Sequence, residues 1–421
     1  MKILVFPHEL EIGGSQINAI EIAAAVQKRG HEVVIFGTKG ALNARITELG
    51  LEFIESPRPS HRPTPAIIRA LNQLISSRGF AVLHGYEWPP TLECALAATQ
   101  TPAVAVSTVM SMAVAPFIPK HLPLMVGTAD ILAAEQKFGR TLTELLEPPV
   151  DLAANNPSVE LGVQTFRRQW GLESSSFVVS TVTRLAAELK LEGLLSAIEA
   201  VGRVAHQIPV QLLIAGRGPA GNIVEAAAIE VNRRTGRRVV VLAGQMDDPR
   251  AAYAAADLVL GMGSSALRAM AFAKPLVVQG EQGFWELLTP ESLPLFLQKG
   301  WFGTGPGPET GAGKLAGLLM EVYRSPGRRR ELSAFSLATV TGRFSLARAA
   351  ELQEAFYVRS MQEPPAVQVR NNLGATGRFV VHQLTQHTRQ LFGSAAADDF
   401  NAQRPGKRAA VVRQALKGMR G

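Results

Sequence analysis

Leu258-Val259-Leu260-Gly261-Met262-Gly263-Ser264-Ser265-Ala266-Leu267-Arg268-Ala269-Met270-Ala271-Phe272-Ala273-Lys274-Pro275-Leu276-Val277-Val278 reads as a buried strand, a Gly-Ser loop, a short helix and a second buried strand. A helix that starts at the carboxyl end of a parallel strand turns its free N–H groups to the sheet edge, where an anion fits. Outward from this stretch the same alternation recurs. In the first half, apolar strands at residues 3–6, 32–36, 81–83 and 104–107 alternate with amphipathic helices. In the second, strands at 177–182, 211–215, 238–242, 257–260 and 275–278 do the same. The pattern predicts an α/β chain with parallel sheets. Residues 147–157 hold Pro148, Pro149 and Pro157 and read as a linker. Two doubly wound, Rossmann-like domains are therefore expected, 1–150 and 151–343, facing each other across a cleft. A terminal helix over 344–363, with Ala349, Leu352 and Phe356 on one face, is expected to pack back across them. Pro364-Pro365 ends it, and 364–421 reads as a basic, flexible tail with two short amphipathic pieces at 379–392 and 409–419.

Composition narrows the function classes. A chain of 421 residues that is 47% hydrophobic can fill two full cores. A single cysteine, Cys94, excludes a disulfide framework and a cysteine-rich zinc site. The opening residues read as a first buried strand rather than a signal peptide. The charge-free stretch from Cys94 to Pro119 is interrupted by Pro102 and Pro116, and reads as an interior strand plus a cleft loop rather than a membrane span. From Pro365 onward there are nine Lys and Arg against two Asp, so most of the net charge of +8 lies in the tail. A near-neutral body argues against a nucleic-acid-binding fold. The tail is either a solvated extension or a contact for a membrane surface or an acidic protein.

Several loops at strand ends carry residues suited to phosphate. Gly13-Gly14-Ser15 follows the first strand, with Ser15 placed to cap the next helix, though a plain tight turn reads the same way. Neither a dinucleotide fingerprint nor a phosphate-loop lysine is present, which demotes nicotinamide cofactors and ATP-type phosphoryl transfer. Thr183-Arg184-Leu185 follows the strand at 177–182, and Lys190 comes shortly before the next helix. An arginine fork and a lysine point charge there suit a diphosphate, or are two surface cations beside a helix start. Gly216-Arg217-Gly218-Pro219 forms another strand-end loop, for a nucleotide base or an ordinary turn.

In series these motifs resemble family 4 of the retaining glycosyltransferases, which have the GT-B fold. The resemblance rests on Gly13-Gly14-Ser15, Arg29-Gly30-His31-Glu32-Val33, Val150-Asp151, Arg184 with Lys190, and Ala256-Asp257-Leu258-Val259. It continues through Arg268-Ala269-Met270-Ala271, Lys274-Pro275-Leu276-Val277-Val278, and Gly283 to Glu286, covering roughly residues 1–360. It implies transfer of a sugar from a nucleotide diphosphate donor with retention at the anomeric carbon. The donor would lie on the second domain and the acceptor mostly on the first. Arg184 and Lys190 would stabilise the leaving diphosphate, with Gly14, Gly216, Gly263, Ser264, Ser265, Arg268 and Glu286 around the donor. Neither a cofactor nor a catalytic metal is implied; the nucleotide sugar is a co-substrate.

The chain departs from the family pattern at its acids. The loop Gly261-Met262-Gly263-Ser264-Ser265 has no glutamate, and Arg268 replaces the glutamate of the Glu-Ala-Met-Ala helix. With Ser265 as cap, Arg268 would be the third helical residue, where a cation is unfavourable unless an anion is close. Arg268 then either meets phosphate or points to solvent. After the third strand the family often has His-x-His; here His84-Gly85-Tyr86-Glu87-Trp88 keeps the first histidine and puts Tyr86 at the second. His84, Tyr86, Glu87 and Trp88 are expected at the sugar or acceptor, with Trp88 able to stack on a pyranose, or else as wall packing. Glu286 is either a donor ligand or a helix-start acid, and His8 is a lone strand-end histidine.

The leading expectation is an active glycosyltransferase whose acceptor the sequence leaves open, in the cytoplasm or peripheral at a membrane. A noncatalytic GT-B protein that binds a sugar nucleotide or a partner enzyme is the alternative. A nucleotide-sugar epimerase would need more cleft histidines than His8 and His84.

Overall fold

The computed structural model describes residues 1–362 apart from Ser60, His61, Gln100, Met112 and Pro116, and beyond them Ala375, Gly377, Phe379 and His382. The rest of the expected tail, including the piece at 409–419, lies outside the described residues. The chain divides into two compact units, one holding Met1–Pro149 and the helix that starts at Leu346, the other Val150–Ser345.

The first unit opens with β1 (Lys2–Phe6), α1 (Gly14–Gln27), β2 (Glu32–Gly37), α2 (Asn43–Glu48), β3 (Glu52–Glu55) and α3 (Pro65–Arg78). It continues through β4 (Val82–Tyr86), α4 (Trp88–Ala98), β5 (Val104–Val109), β6 (Leu124–Val126), α5 (Ala129–Lys137) and β7 (Thr143–Leu145). The sheet order is β3-β2-β1-β4-β5-β6-β7, parallel throughout. Successive strand residues face opposite sides, and both sides are covered. Leu4, Phe6, Val34 and Phe36 enter one core with Ile67 and Leu71 of α3, while Ile3, Val5, Val33 and Ile35 enter the other with α1. Burial on both faces is why these strands read as unbroken apolar runs. The charge-free stretch begins inside α4, passes through β5, and ends in a loop that buries Phe117 and Ile118.

The second unit runs α6 (Val163–Trp170), β8 (Phe177–Val182), α7 (Leu191–Val204), β9 (Val210–Ala215), α8 (Gly221–Thr235), β10 (Val240–Gly244) and α9 (Arg250–Ala254). Then come β11 (Leu258–Gly261), α10 (Ser264–Ala271), β12 (Leu276–Gln279), β13 (Trp285–Leu287), α11 (Leu293–Lys299), α12 (Gly311–Arg324) and α13 (Pro326–Arg343). Its sheet order is β10-β9-β8-β11-β12-β13, parallel except for the antiparallel pair β12 and β13. The chain returns to the first unit through α14 (Leu346–Gln362), which packs along α1 and buries Ala349, Ala350 and Phe356. Phe344, expected to open that helix, instead closes α13 and packs against Trp301 in the second unit. Where the chain passes between units, the two stretches lie side by side: Val150 N–H donates to Phe344 O at 2.8 Å.

Candidate functional site

In the second unit β8 is the switch point of the sheet. From it the order runs to β9 and β10 on one side, and to β11 and β12 on the other. Connections leaving opposite ways open a crevice above the carboxyl ends of the strands, where ligands of such sheets bind. Arg184 follows β8 at that edge. Its loop is locked to the loop after β9: Thr183 N–H donates to Ala215 O at 2.9 Å, and Leu185 N–H to Arg217 O at 3.1 Å. The fit demands glycine. A Cβ on Gly216, at φ +148°, would lie 1.8 Å from Thr183 O, and one on Gly218 2.4 Å from Leu185 O. Held by this backbone, Arg184 is exposed and has no acidic partner among the described residues.

Lys190 immediately precedes α7, with Leu189 before it at φ 61°. Gln279, buried at the end of β12, directs its side-chain amide at the carbonyls of Leu189 and Lys190, 3.4 Å from each. Burial pushes the Lys190 ammonium down to about 8, and among the described residues no carboxylate pairs with it. A desolvated cation without a counter-ion, at the positive end of a 14-residue helix, is an arrangement that an anionic ligand stabilises. Glu192, the acid in the first turn of α7, is occupied elsewhere and accepts the Gly283 N–H at 2.6 Å.

The Gly-Ser loop after β11 forms the adjoining wall. Gly263, at φ 53°, precedes α10, and Ser264 and Ser265 are its first two residues. Ser265 does not cap the helix from outside as expected; its Oγ turns back to the Met262 carbonyl (2.9 Å) and amide (3.0 Å). Arg268 is consequently in the second turn, not third in the helix. Its guanidinium lies near the Tyr253 hydroxyl, which burial pushes up to about 12 while Arg268 pulls it down. Glu286 is not the helix-start acid of one expectation: it lies in β13, opposite Val278. Its carboxylate accepts from Lys314 Nζ at 3.0 Å. The hairpin at Gly283 makes a strand of what looked like a loop entering a helix.

In the first unit the switch point lies between β1 and β4. Gly14 and Ser15 open α1 there, and Ser15 is not a helix cap: its hydroxyl donates to Glu87 Oε1 at 2.8 Å. Glu87 follows β4 at φ 61°, and also accepts the Met110 N–H at 3.0 Å and the Ser111 hydroxyl at 2.7 Å. Burial raises its carboxyl above the usual range, and these donors pull it back. The result is a carboxylate fixed beside a helix start.

The neighbours of Glu87 turn out differently from their expected roles. His84 and Tyr86 are each 0% exposed. His84 Nδ1 lies 2.6 Å from the Tyr357 hydroxyl and Nε2 2.8 Å from that of Thr108, while the Tyr86 hydroxyl donates to Gln353 Oε1 at 3.0 Å. With their polar atoms used inside the core, both tie β4 to α14 instead of meeting a sugar. Trp88 packs between Phe117 and Phe379, ring centroids 5.1 and 5.3 Å away, so its face is not free to stack on a pyranose. His8 lies 4.0 Å from the Glu9 carboxylate. Sequence reasoning missed Ser111 and Gln279. A polar residue at the end of an apolar strand was the available signal for Gln279; Ser111 had none.

Among the described residues no group of three or more His, Cys, Asp or Glu is placed to hold a metal ion, and no helix is long and apolar enough to cross a membrane.

Comparison with known proteins follows this division of the chain. Residues 13–146 match the family described as Glycosyl transferase 4-like domain, and residues 176–301 that described as Glycosyl transferases group 1. Among curated proteins no sequence matches. A glycosyltransferase from Rickettsia africae is similar in structure, with a TM-score of 0.70 at 15% identity over 86% of this chain and 99% of that one. HepE of Anabaena, solved in complex with UDP, gives 0.67 at 17% identity over 86% and 100%. A sucrose-phosphate synthase from Thermosynechococcus elongatus gives 0.65 at 15% over 85% and 99%. With a glycosyltransferase domain matched in each unit and the fold shared along both, the chain is a glycosyltransferase of the GT-B fold.

Proposed function

We propose that the enzyme transfers a sugar from a nucleoside diphosphate donor, held by the second unit, to an acceptor hydroxyl on the first, with retention at the anomeric carbon. The observation that carries this reading is the pair of unpartnered cations at one sheet edge: Arg184, exposed on an interlocked loop, and Lys190, desolvated at a helix start. As the glycosidic bond breaks, charge builds on the diphosphate, and preorganised cations lower the barrier most where that charge appears. Arg268, beside the serine-rich start of α10, adds a third cation for phosphate in place of an acid for ribose. These cations would do the work that a metal does elsewhere, so no metal or other cofactor is needed. Glu87 orients the acceptor. Retention rests on the family resemblance, and the tail from 364 is a further contact for an acidic partner or a membrane at the cytoplasmic side. HepE, solved with UDP-glucose, makes that donor the first to try.

The test is calorimetric titration with UDP-, GDP- and dTDP-sugars, using Arg184→Ala and Lys190→Ala as controls. One donor should bind, with affinity lost in both variants; NMR of the product from an acceptor screen then reads the anomer. Equal binding by wild type and variants would remove the site, and an inverted product would remove retention.

A further inference from the structure

The opposite edge of the second sheet carries an unexplained concentration of arginine. There α6, α7 and α8 end and β8, β9 and β10 begin, and the start of α13 joins them: the Arg329 guanidinium lies 5.5 Å from the Phe177 ring at the head of β8. Gln211, near the head of β9, donates to the carbonyls of Gly171 and Arg238, both at 3.1 Å, and Arg237 donates to Ala205 O at 3.1 Å. Arg203 and Arg234 flank the same edge and share Glu199, at 3.0 and 2.8 Å. Arg168, Arg237, Arg238, Arg324, Arg329 and Arg330 have no acidic partner among the described residues, and all but the half-buried Arg329 are exposed. β8 is six residues long, about 20 Å, so this edge is well removed from Arg184 at the strand's other end.

Helix stabilisation accounts for only part of it. Cations favour the last turn of a helix, which explains Arg168, Arg203, Arg233, Arg234 and Arg324. Arg237 and Arg238 lie in a loop, and Arg328, Arg329 and Arg330 crowd the start of the 18-residue α13, the end where the dipole disfavours cations. Nor do these side chains converge on one point as the residues of a single-phosphate site would. They come from separate helices and loops and spread along a sheet edge. Guanidinium is weakly hydrated and grips phosphate oxygens in pairs, and the half-buried Trp170, at the end of α6 on the same edge, is an aromatic residue of the kind that bilayer interfaces favour.

We infer that this arginine-lined edge docks the enzyme on a membrane surface rich in anionic phospholipid, leaving the carboxyl edge of the same sheet for the donor. The probe is co-sedimentation of the full chain with phosphatidylcholine vesicles, with and without phosphatidylglycerol. Binding should require the anionic lipid and weaken as salt rises. Combined Arg237→Glu, Arg238→Glu and Arg330→Glu should weaken it by about a hundredfold, at about fivefold or more per arginine. UDP binding should be unchanged in that protein, which shows that it is folded; the milder Arg237→Gln/Arg238→Gln pair serves if it is not. Combined Lys407→Ala, Arg408→Ala and Arg413→Ala in the tail should leave most vesicle binding intact. Wild-type binding by the arginine variants, or loss confined to the tail variant, overturns the proposal. So does equal binding to neutral vesicles, complete competition by inorganic phosphate, or a preference for single-stranded RNA over vesicles.

Discussion

At Lys190, burial holds the ammonium down to about 8 in the free enzyme. A diphosphate beside it would favour the charged form and restore the proton affinity. Donor affinity is therefore expected to be full below pH 8 and to decline as pH rises through that value. Above it, binding should take up a proton, which calorimetry in buffers of different ionisation enthalpy measures directly; a flat profile from pH 7 to about 10 would place the phosphates elsewhere. Glu87 works in the opposite sense. Its raised carboxyl makes ionisation costly in the folded state, so its contribution to stability is present below the usual carboxylate range and lost as pH rises through the folded value. Glu87→Gln should flatten that part of the stability curve in denaturant titrations. It should also reduce transfer by about a hundredfold or more, the low end for a positioned catalytic group. An unchanged rate would make Glu87 a structural link between Ser15 and Ser111.

At the scale of elements, the loops after β8 and β9 act as one piece, because their backbones touch at Gly216 and Gly218. Gly216→Ala is expected to cost about 1–3 kcal/mol in thermal or denaturant unfolding, by pushing Thr183 aside. Transfer should fall further than stability accounts for, since Arg184 moves with Thr183; a variant with wild-type kcat would uncouple the two. The same scale shows what the sequence conceals. Strands buried on both faces, such as β1 and β8, announce themselves as apolar runs, and the glycines of these loops mark where backbones meet. The three-residue strands β6, β7 and β13 are too short for periodicity, and β3 is polar at both ends. Glu286 went astray with β13, because nothing local distinguishes a hairpin arm from the approach to a helix. His84 and Tyr86 read like site residues since a buried polar residue needs a partner, and theirs, Tyr357 and Gln353, come from α14, over 260 positions away. Glu87, one residue on, kept its place at the edge of the sheet.

In the molecule as a whole, that distance is the governing fact. The first unit is not complete until α14 returns to it, so its stability depends on residues separated by the entire second unit. α14 contributes Ala349, Ala350 and Phe356 to the core under α1, the Tyr357 and Gln353 contacts to β4, ion pairs from Glu354 to Arg29 and from Arg359 to Glu144, and a hydrogen bond between Glu354 and His31. The second unit has its own sheet and its own core, and α14 supplies none of it. Breaking α14 should therefore separate the two in stability. Ala350→Pro, inside the helix and 1% exposed, removes a helical hydrogen bond and costs about 3 kcal/mol or more. Hydrogen exchange should then show lost protection across β1 to β7 while β8 to β13 keep theirs. UDP binding should persist, because Arg184 and Lys190 sit in the unit that remains folded, and transfer should fail because Glu87 does not. Equal loss of protection in both sheets would mean that the units fold as one, and that the carboxyl edge of the second is not an independent donor site.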